Sequence, residues 1–349
     1  MELLKVLGVF SNNRVVYSVS NIVPTLGYIA FGVIDRGTNV LQVRPTTICP
    51  LNCIFCSVDA GPYSKHRWAE YIVDPKAVIE TIRYAIIYKG GGIEALIDTI
   101  GDPLTYPWLI DLVKELKRIP GVSSVALETH GALLTESMAL KLEKAGLDRI
   151  NLSIDTLDPK KAKYLQGVQW FDVSRVKRVV EFIVKETRID VHITPLWIPG
   201  VNDNDVIEVV KWAIKIGAGK RWPPVSIQKY NVHKYGRKVP GVKPLSWRKF
   251  WDKISELEKQ LGIRLRWSME EWGMRYTKRI PIPYNRGDRI AVKVIGRGWL
   301  KGEYIGVPIE KEKRIIALSR FKGRIGDTVL AEIIDNKDGL FIGRVLSKY

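Results

Sequence analysis

Six short apolar runs, separated by amphipathic stretches, occupy the middle of this chain and leave few folds open to it. The runs lie at 40–44, 93–99, 122–128, 149–153, 190–194 and 225–228, and helix-period patterns fill 75–88, 108–118, 135–144, 173–185, 203–216 and 246–261. Strands that each precede a helix pair in parallel, because the crossover helix returns the chain to the same end of the sheet. Six such units fit an open, partial (β/α)6 barrel at least as well as a doubly wound sheet. Pro75, Thr135 and Asp203 stand where helix starts favour proline or a short capping side chain. Polar ends of successive parallel strands converge on one face, so the residues just after each run are the first candidates for chemistry.

A chain of 349 residues exceeds one ordinary core and falls short of three, which predicts one large domain and a small appendage. After Trp272 the pattern changes: Pro281 and Pro283 mark a boundary, and glycines at 287, 296, 298, 302, 323, 326 and 343 punctuate short strands as in a small barrel. The expected division is a β-rich N-terminal extension at 1–35, the α/β barrel at 36–280 and a small all-β barrel at 281–349. No stretch of about eighteen residues is uninterruptedly apolar, and the N-terminus has neither a basic start with a sustained apolar run nor a small-residue cleavage site. A cytoplasmic protein without a membrane span is expected.

Cys49, Cys53 and Cys56 are the only cysteines, at C-x3-C-x2-C spacing after the first predicted barrel strand. An odd number within eight residues staples nothing, so they read as metal ligands. Three thiolates on a four-iron cluster leave one iron open to an exogenous group. The alternative is zinc completed by a histidine, with His66 nearest, although structural zinc usually pairs its cysteines with a distant second pair.

The run TTICPLNCIFC, with Phe55 before its last cysteine, resembles the radical S-adenosylmethionine (radical SAM) superfamily. The resemblance implies a partial (β/α)6 barrel and one 4Fe-4S cluster on Cys49, Cys53 and Cys56. It implies S-adenosyl-L-methionine bound at the open iron and cleaved to methionine and a 5′-deoxyadenosyl radical, and an electron-donor protein as partner. Gly101-Asp102-Pro103 resembles the family's Gly-Gly-Glu motif for the methionine amino group, departing from it at Ile100 and Asp102. Glycine at 101 suits a close approach of backbone to ligand. The stretches LETHGALLT and LDRINLSIDTLDPKKAKYLQG resemble the molybdopterin-precursor synthase branch, which points to Thr129, Ser153 and Asp155 as cofactor contacts. LWIPGVNDND resembles the turn after the fifth strand that packs on adenine, which points to Ile198 and Gly200. His130 and His192 also lie near strand ends and read as structural hydrogen-bonding groups. With no cysteines for a second cluster or a methyl carrier, the resemblance leaves hydrogen abstraction followed by rearrangement, carbon insertion or transfer from another donor.

The net charge of +18 is unevenly spread: residues 1–210 carry 23 Lys+Arg against 24 Asp+Glu, 211–280 carry 18 against 5, and 281–349 carry 14 against 8. So lopsided an excess suggests a polyanion-facing surface, and scarce glutamine offers a thermophile's exterior as the alternative. The last 65 or so residues resemble a TRAM domain, an oligonucleotide-binding-fold relative found on enzymes that modify RNA, through Gly287-Asp288, Lys301-Gly302-Glu303 and Gly326-Asp327-Thr328-Val329. RNA, and within it transfer RNA, is the partner this implies. Arg297, Lys301, Arg320, Lys322 and Arg324, with Lys234, Arg237 and Lys238 of a Gly-rich loop ahead of the module, are the expected phosphate contacts. Trp299 or Phe321 is the expected base-stacking ring, while Trp247, Phe250 and Trp251 read as helix-face core. Removing 283–349 is expected to cost RNA affinity and to spare cofactor cleavage. The other readings are a radical enzyme acting on a small molecule or a protein, and a zinc-containing RNA-binding protein without catalysis.

Overall fold

A computed structural model describes residues 4–310 and 312–349, so the first three residues of the expected N-terminal extension lie outside the described residues. A hairpin of β1 (Leu4–Phe10) and β2 (Arg14–Val19) opens the chain, and β3 (Gly32–Asp35) and β4 (Val40–Arg44) lead to the cysteine loop. β5 (Ala69–Val73) and α1 (Pro75–Lys89) follow, then β6 (Ile93–Ile97), α2 (Leu109–Arg118), β7 (Val122–Thr129), α3 (Glu136–Ala145) and β8 (Arg149–Leu152). Next come α4 (Pro159–Gln166), α5 (Val173–Glu186), β9 (Asp190–Ile193), β10 (Leu196–Trp197), α6 (Asp203–Lys215), β11 (Gln228–Lys229) and α7 (Trp247–Leu261). The C-terminal strands are β12 (Arg289–Arg297), β13 (Tyr304–Pro308), β14 (Ile316–Ser319), β15 (Thr328–Asp335) and β16 (Phe341–Lys348).

The central sheet has the order β3-β4-β6-β7-β8-β9, parallel throughout except for the antiparallel edge strand β3. Its strands are buried on both sides and covered by the helices, as an all-parallel sheet requires. The expected sixth strand at 225–228 is reduced to a parallel bridge between Val225 and Ile193, with β11 pairing β10 beyond it. Pro223 and Pro224 precede it and have no N–H to give a ladder. The helix starts are built from caps: Asp74 accepts from Lys76 N with Pro75 in the first turn, and Thr135 accepts from Met138 N. At α6 the cap position is Asn202, one residue before the expected start at Asp203.

β1, β2 and β5 form a separate three-stranded sheet, so the expected N-terminal extension divides between two sheets, with β3 joining the large one. The C-terminal strands close into a barrel, β12-β13-β14-β16-β15, around Tyr284, Val292, Val294, Leu318, Ile333 and Phe341. This barrel is fused to the rest of the chain and not strung behind it. Trp299, Ile305, Val307 and Ile315 belong to the main core. Backbone bonds run from Trp68 N to Trp299 O (3.0 Å), Lys301 N to His66 O (2.7 Å), Ile315 N to Leu26 O (2.9 Å) and Phe341 N to Gly27 O (2.9 Å). No described helix is long and apolar enough to cross a membrane.

Candidate active site

Cys49, Cys53 and Cys56 line one cavity of about 430 Å³ at the C-terminal ends of the parallel strands. Cys49 and Cys53 are buried, Cys56 partly so. The loop that carries them is held from three directions. From α4, Asn52 N bonds Gln166 O (2.9 Å) and Ile54 N bonds Leu165 O (3.0 Å), and Gly167 leaves no room for a β-carbon against Asn52 O (2.1 Å). From below, the buried Arg67 donates to Val58 O (3.1 Å), Thr47 O (3.0 Å) and Ile100 O, pairs with Glu70 and lies 5.2 Å from the ring centre of Trp299.

The third support comes from the basic loop. Arg237 donates from Nε to Cys53 O (2.7 Å), from Nη1 to Asn52 Oδ1 (2.8 Å) and Asp59 Oδ1 (3.1 Å), and from Nη2 to Ala60 O, while its amide bonds Cys56 O (2.8 Å). Its expected role as a phosphate contact is therefore corrected, because every guanidinium nitrogen is engaged on the cysteine loop. Asp59 is the matching anchor. Burial pushes its carboxyl up, but the amides of His66 and Lys65 together with Arg237 outweigh that and hold it below its ordinary value.

The donor set fits an iron-sulfur cluster. Burial pushes the thiols of Cys49 and Cys53 well up, Asp102 and Cys56 adding to the first and Cys49 and Cys56 to the second, so these thiolates need a cationic centre to form. Ala60 N donates to Cys56 Sγ (3.2 Å), and Cys53 Sγ lies 2.8 Å from Gln166 Oε1 and 3.9 Å from His130 Nε2. Phe55, Gly101, Asp102, Thr129, Ser153 and Asp155 all line the same cavity.

These strand-end residues are already tied to one another. Asp102 caps a short turn through Leu104 N (2.9 Å) and accepts from Thr129 Oγ1 at both oxygens (2.9 Å each). Asp155 accepts from Leu196 N (2.9 Å) and Gln166 Nε2 (3.1 Å), and Ser153 Oγ lies 3.3 Å from Thr194 Oγ1. Desolvation raises both carboxyls, with hydrogen bonds and His130 opposing it. At Gly101, which lines the cavity, a β-carbon would stand 2.3 Å from Ile48 O and 2.5 Å from Thr47 O, so the segment between β4 and Cys49 by itself requires glycine there.

Pro103, Ile198 and Gly200 are not among the residues lining the cavity. Pro103 is buried in the turn that Asp102 caps. Ile198 is fully buried, with its N–H on Asn202 Oδ1, and Gly200 (φ 76°) turns the chain toward α6. Leu196, two residues earlier, lines the cavity in their place.

Further lining residues were not picked out from the sequence: Arg44, Asp98 and Glu128 from the strands, and Lys229, Tyr230 and Asn231 from the segment after the last bridge. Position at a strand end was the available signal for Asp98 and Glu128. Burial, then Asp98, pushes Glu128 up to about 8 against the pull of Arg44, Asn151 and Arg149. His130 also lines the cavity, with Nδ1 3.0 Å from Ser153 O. His192 does not; it is locked between Pro223 O (2.6 Å) and Ser226 Oγ (2.8 Å), and burial lowers it to about 4.

Among the remaining basic candidates, Lys234, Lys238, Arg297, Lys301, Arg320, Lys322 and Arg324 are exposed. Arg297 stacks over Trp68 at 5.0 Å. Trp299 is corrected: it is buried between the C-terminal barrel and Arg67 and cannot meet a base. Phe321 is half-buried, edge-on to Tyr304 at 4.7 Å.

An open β/α barrel whose strand ends gather three loop thiols and a set of buried polar side chains defines an enzyme that works through a bound cluster. The pattern of the radical SAM superfamily matches residues 43–213, and the chain belongs to that superfamily. It is 35% identical over 343 residues, 93% of its length and 79% of the relative's, to the uncharacterized protein MJ0103 of Methanocaldococcus jannaschii. It is 32% identical over 184 residues to the GTP 3′,8-cyclase of Syntrophomonas wolfei, covering 52% of this chain and 53% of that one, so it spans about half of that relative. In fold it is similar to Streptococcus suis SuiB bound to precursor peptide SuiA, with a TM-score of 0.50, 19% identity, and coverage of 65% of this chain and 47% of that one. Superfamily members use a 4Fe-4S cluster and S-adenosylmethionine. Cys49, Cys53 and Cys56 would hold the cluster, which when bound would supply the electron for cleaving S-adenosylmethionine. Gln166, Arg237 and Ala60 fix the loop around it.

Proposed function

We propose that this radical SAM enzyme modifies RNA, and within RNA transfer RNA, in the cytoplasm, drawing its electron from a donor protein. One observation carries the reading. The cavity of the three cysteines is walled in part by Gln228, Lys229, Tyr230, Asn231, His233 and Arg237, and these belong to the segment where Lys+Arg outnumber Asp+Glu by 18 to 5. Chemistry and cationic surface therefore meet at one opening. Exposed Lys234 and Lys238 in the same loop, and exposed Lys322 and Arg324 on a C-terminal barrel that resembles a TRAM domain, are the further cations a polyanion would meet. Superfamily membership replaces the zinc reading. The test is mass spectrometry of nucleosides from RNA of a deletion strain and its parent. One modified nucleoside should disappear, return with the intact gene and fail to return with Cys53→Ala; identical nucleosides would overturn the proposal.

A second reading is favoured by the relatives named GTP 3′,8-cyclase and by a cavity of about 430 Å³, within the range of small-ligand pockets. In it the substrate is a free nucleotide. Consumption of a nucleoside triphosphate by the reduced enzyme in the absence of RNA would put this reading first.

A further inference from the structure

We infer that one face of α7 is a stacking track for bases of single-stranded RNA, leading from the mouth of the active-site cleft to a second, tryptophan-lined cavity. This rests on the RNA reading and adds the strand state and the residues that hold it. α7 buries Phe250, Ile254 and Leu257, as its period requires. Trp247 and Trp251, four residues apart at the edge of that face, remain 57% and 44% exposed, whereas Phe250 between them is 2% exposed. Only Phe250 of these three expected core rings is core. Withholding two indoles from the interior forgoes the burial of the largest apolar side chains, and an exposed patch of that kind marks a binding surface.

The rings are arranged in a row. Trp247 and Trp251 lie 6.2 Å apart with an interplanar angle of 21°. At one end, Lys229 Nζ sits 4.9 Å over Trp247 and bonds Asn231 Oδ1 (2.6 Å), and both Lys229 and Asn231 line the cysteine cavity. At the other end, Trp251 shares with Trp267, Trp272 and Arg266 a cavity of about 260 Å³. Arg248, Lys249 and Lys253 stand exposed on the same helix. Aromatic faces in series on a helix that also carries exposed cations are what sequence-tolerant binding of single strands uses, since every base has a π-face and every nucleotide a phosphate. The charge excess of 18 to 5 selects a polyanion over an apolar protein surface as the occupant.

The experiment measures binding of a labelled oligouridylate of about 12 nucleotides to the full-length protein. Trp247→Ala and Trp251→Ala should each weaken binding by roughly 5- to 150-fold, the span of base–aromatic stacking, with Trp247→Phe close to the parent. The salt slope should stay at the parent value in the alanine variants and fall in Lys249→Glu. Should Trp247→Ala melt early, Trp247→Leu keeps helix and apolar bulk without a stacking face and must show the same loss. Parent-like affinity in both tryptophan variants, with loss only in Lys249→Glu, would overturn the track and leave the RNA reading standing. Equal binding of a polyglutamate peptide with the same tryptophan dependence would make the face an acidic-protein site and overturn the inference. Failure of the parent to bind RNA at all would overturn both.

Discussion

The two main β-structures of this molecule dispose of their polar groups in opposite ways. The six-stranded sheet turns Asp102, Thr129, Ser153, Asp155 and Glu128 inward at its strand ends, while Arg44 holds Asp98 and Arg67 and Arg237 hold the cysteine loop. The C-terminal barrel fills its interior with Val292, Val294, Leu318, Ile333 and Phe341 and leaves Lys322 and Arg324 outside. The arginines of the first region are buried or half-buried and engaged on the strand ends and the cysteine loop, whereas Lys322 and Arg324 of the second face water. Positive charge therefore predicts opposite consequences in the two regions: losing an inward arginine should damage the cluster, and losing an outward lysine should touch only the partner.

The largest effect should come from removing 283–349. That cut takes Trp299 from Arg67, Glu303 from Tyr28 OH (2.5 Å), and the backbone partners from residues 26, 27, 66 and 68. The remainder should be insoluble or lack iron, contrary to the expectation that the cut would spare cofactor cleavage. A soluble 1–282 fragment that still cleaves S-adenosylmethionine would show the barrel to be a separable module and dissolve the comparison. Gly101→Val comes next. Its β-carbon meets the carbonyls of Thr47 and Ile48, and overpacking of this kind costs about 3 kcal/mol or more. Urea unfolding and iron content should fall together, whereas weakened cofactor affinity with iron unchanged would return Gly101 to a ligand contact.

Arg237→Ala should cost about 3 kcal/mol, because it strips charged hydrogen bonds from the cysteine loop and leaves the buried Asp59 without its arginine. Iron per chain should drop as well. Lys234→Glu and Lys238→Glu, in the same loop but exposed, should leave stability and iron alone and lower the salt slope of RNA binding by roughly 0.7 per lost phosphate contact. If all three variants behaved alike, the inward and outward distinction would be wrong. The smallest effect is a pH slope. Glu128 is held up to about 8 from an ordinary 4.5, so the folded chain keeps a proton that the unfolded chain has lost. Stability should therefore fall as pH rises from about 4.5 to about 8, and Glu128→Gln should flatten that slope.

Local signals reached a long way into this fold. The strand at 40–44, the helix starting at Pro75 and the Gly-punctuated strands after 283 are written in periodicity, caps and turns, each a matter of a few neighbouring residues. The cysteine spacing likewise announces one small object between its thiols. What was not legible depends on partners far along the chain. β3 reads as part of an N-terminal layer until it pairs β4, and β5 joins β2 across fifty residues that include the cysteine loop. Arg237 and Lys238 are neighbouring basic residues, and the carbonyls of Cys53 and Ala60 distinguish the inward one. Trp299 and Trp247 carry the same side chain, one under Arg67 and one half in water, for reasons set by tertiary packing.

The central claim is that three loop thiols and the strand-end cleft generate a radical from S-adenosylmethionine. Anaerobically reconstituted protein should hold about four irons and four sulfides per chain and, once reduced, convert S-adenosylmethionine to 5′-deoxyadenosine, with Cys53→Ala losing both. One equivalent of zinc, and no 5′-deoxyadenosine from the reduced protein, would contradict it.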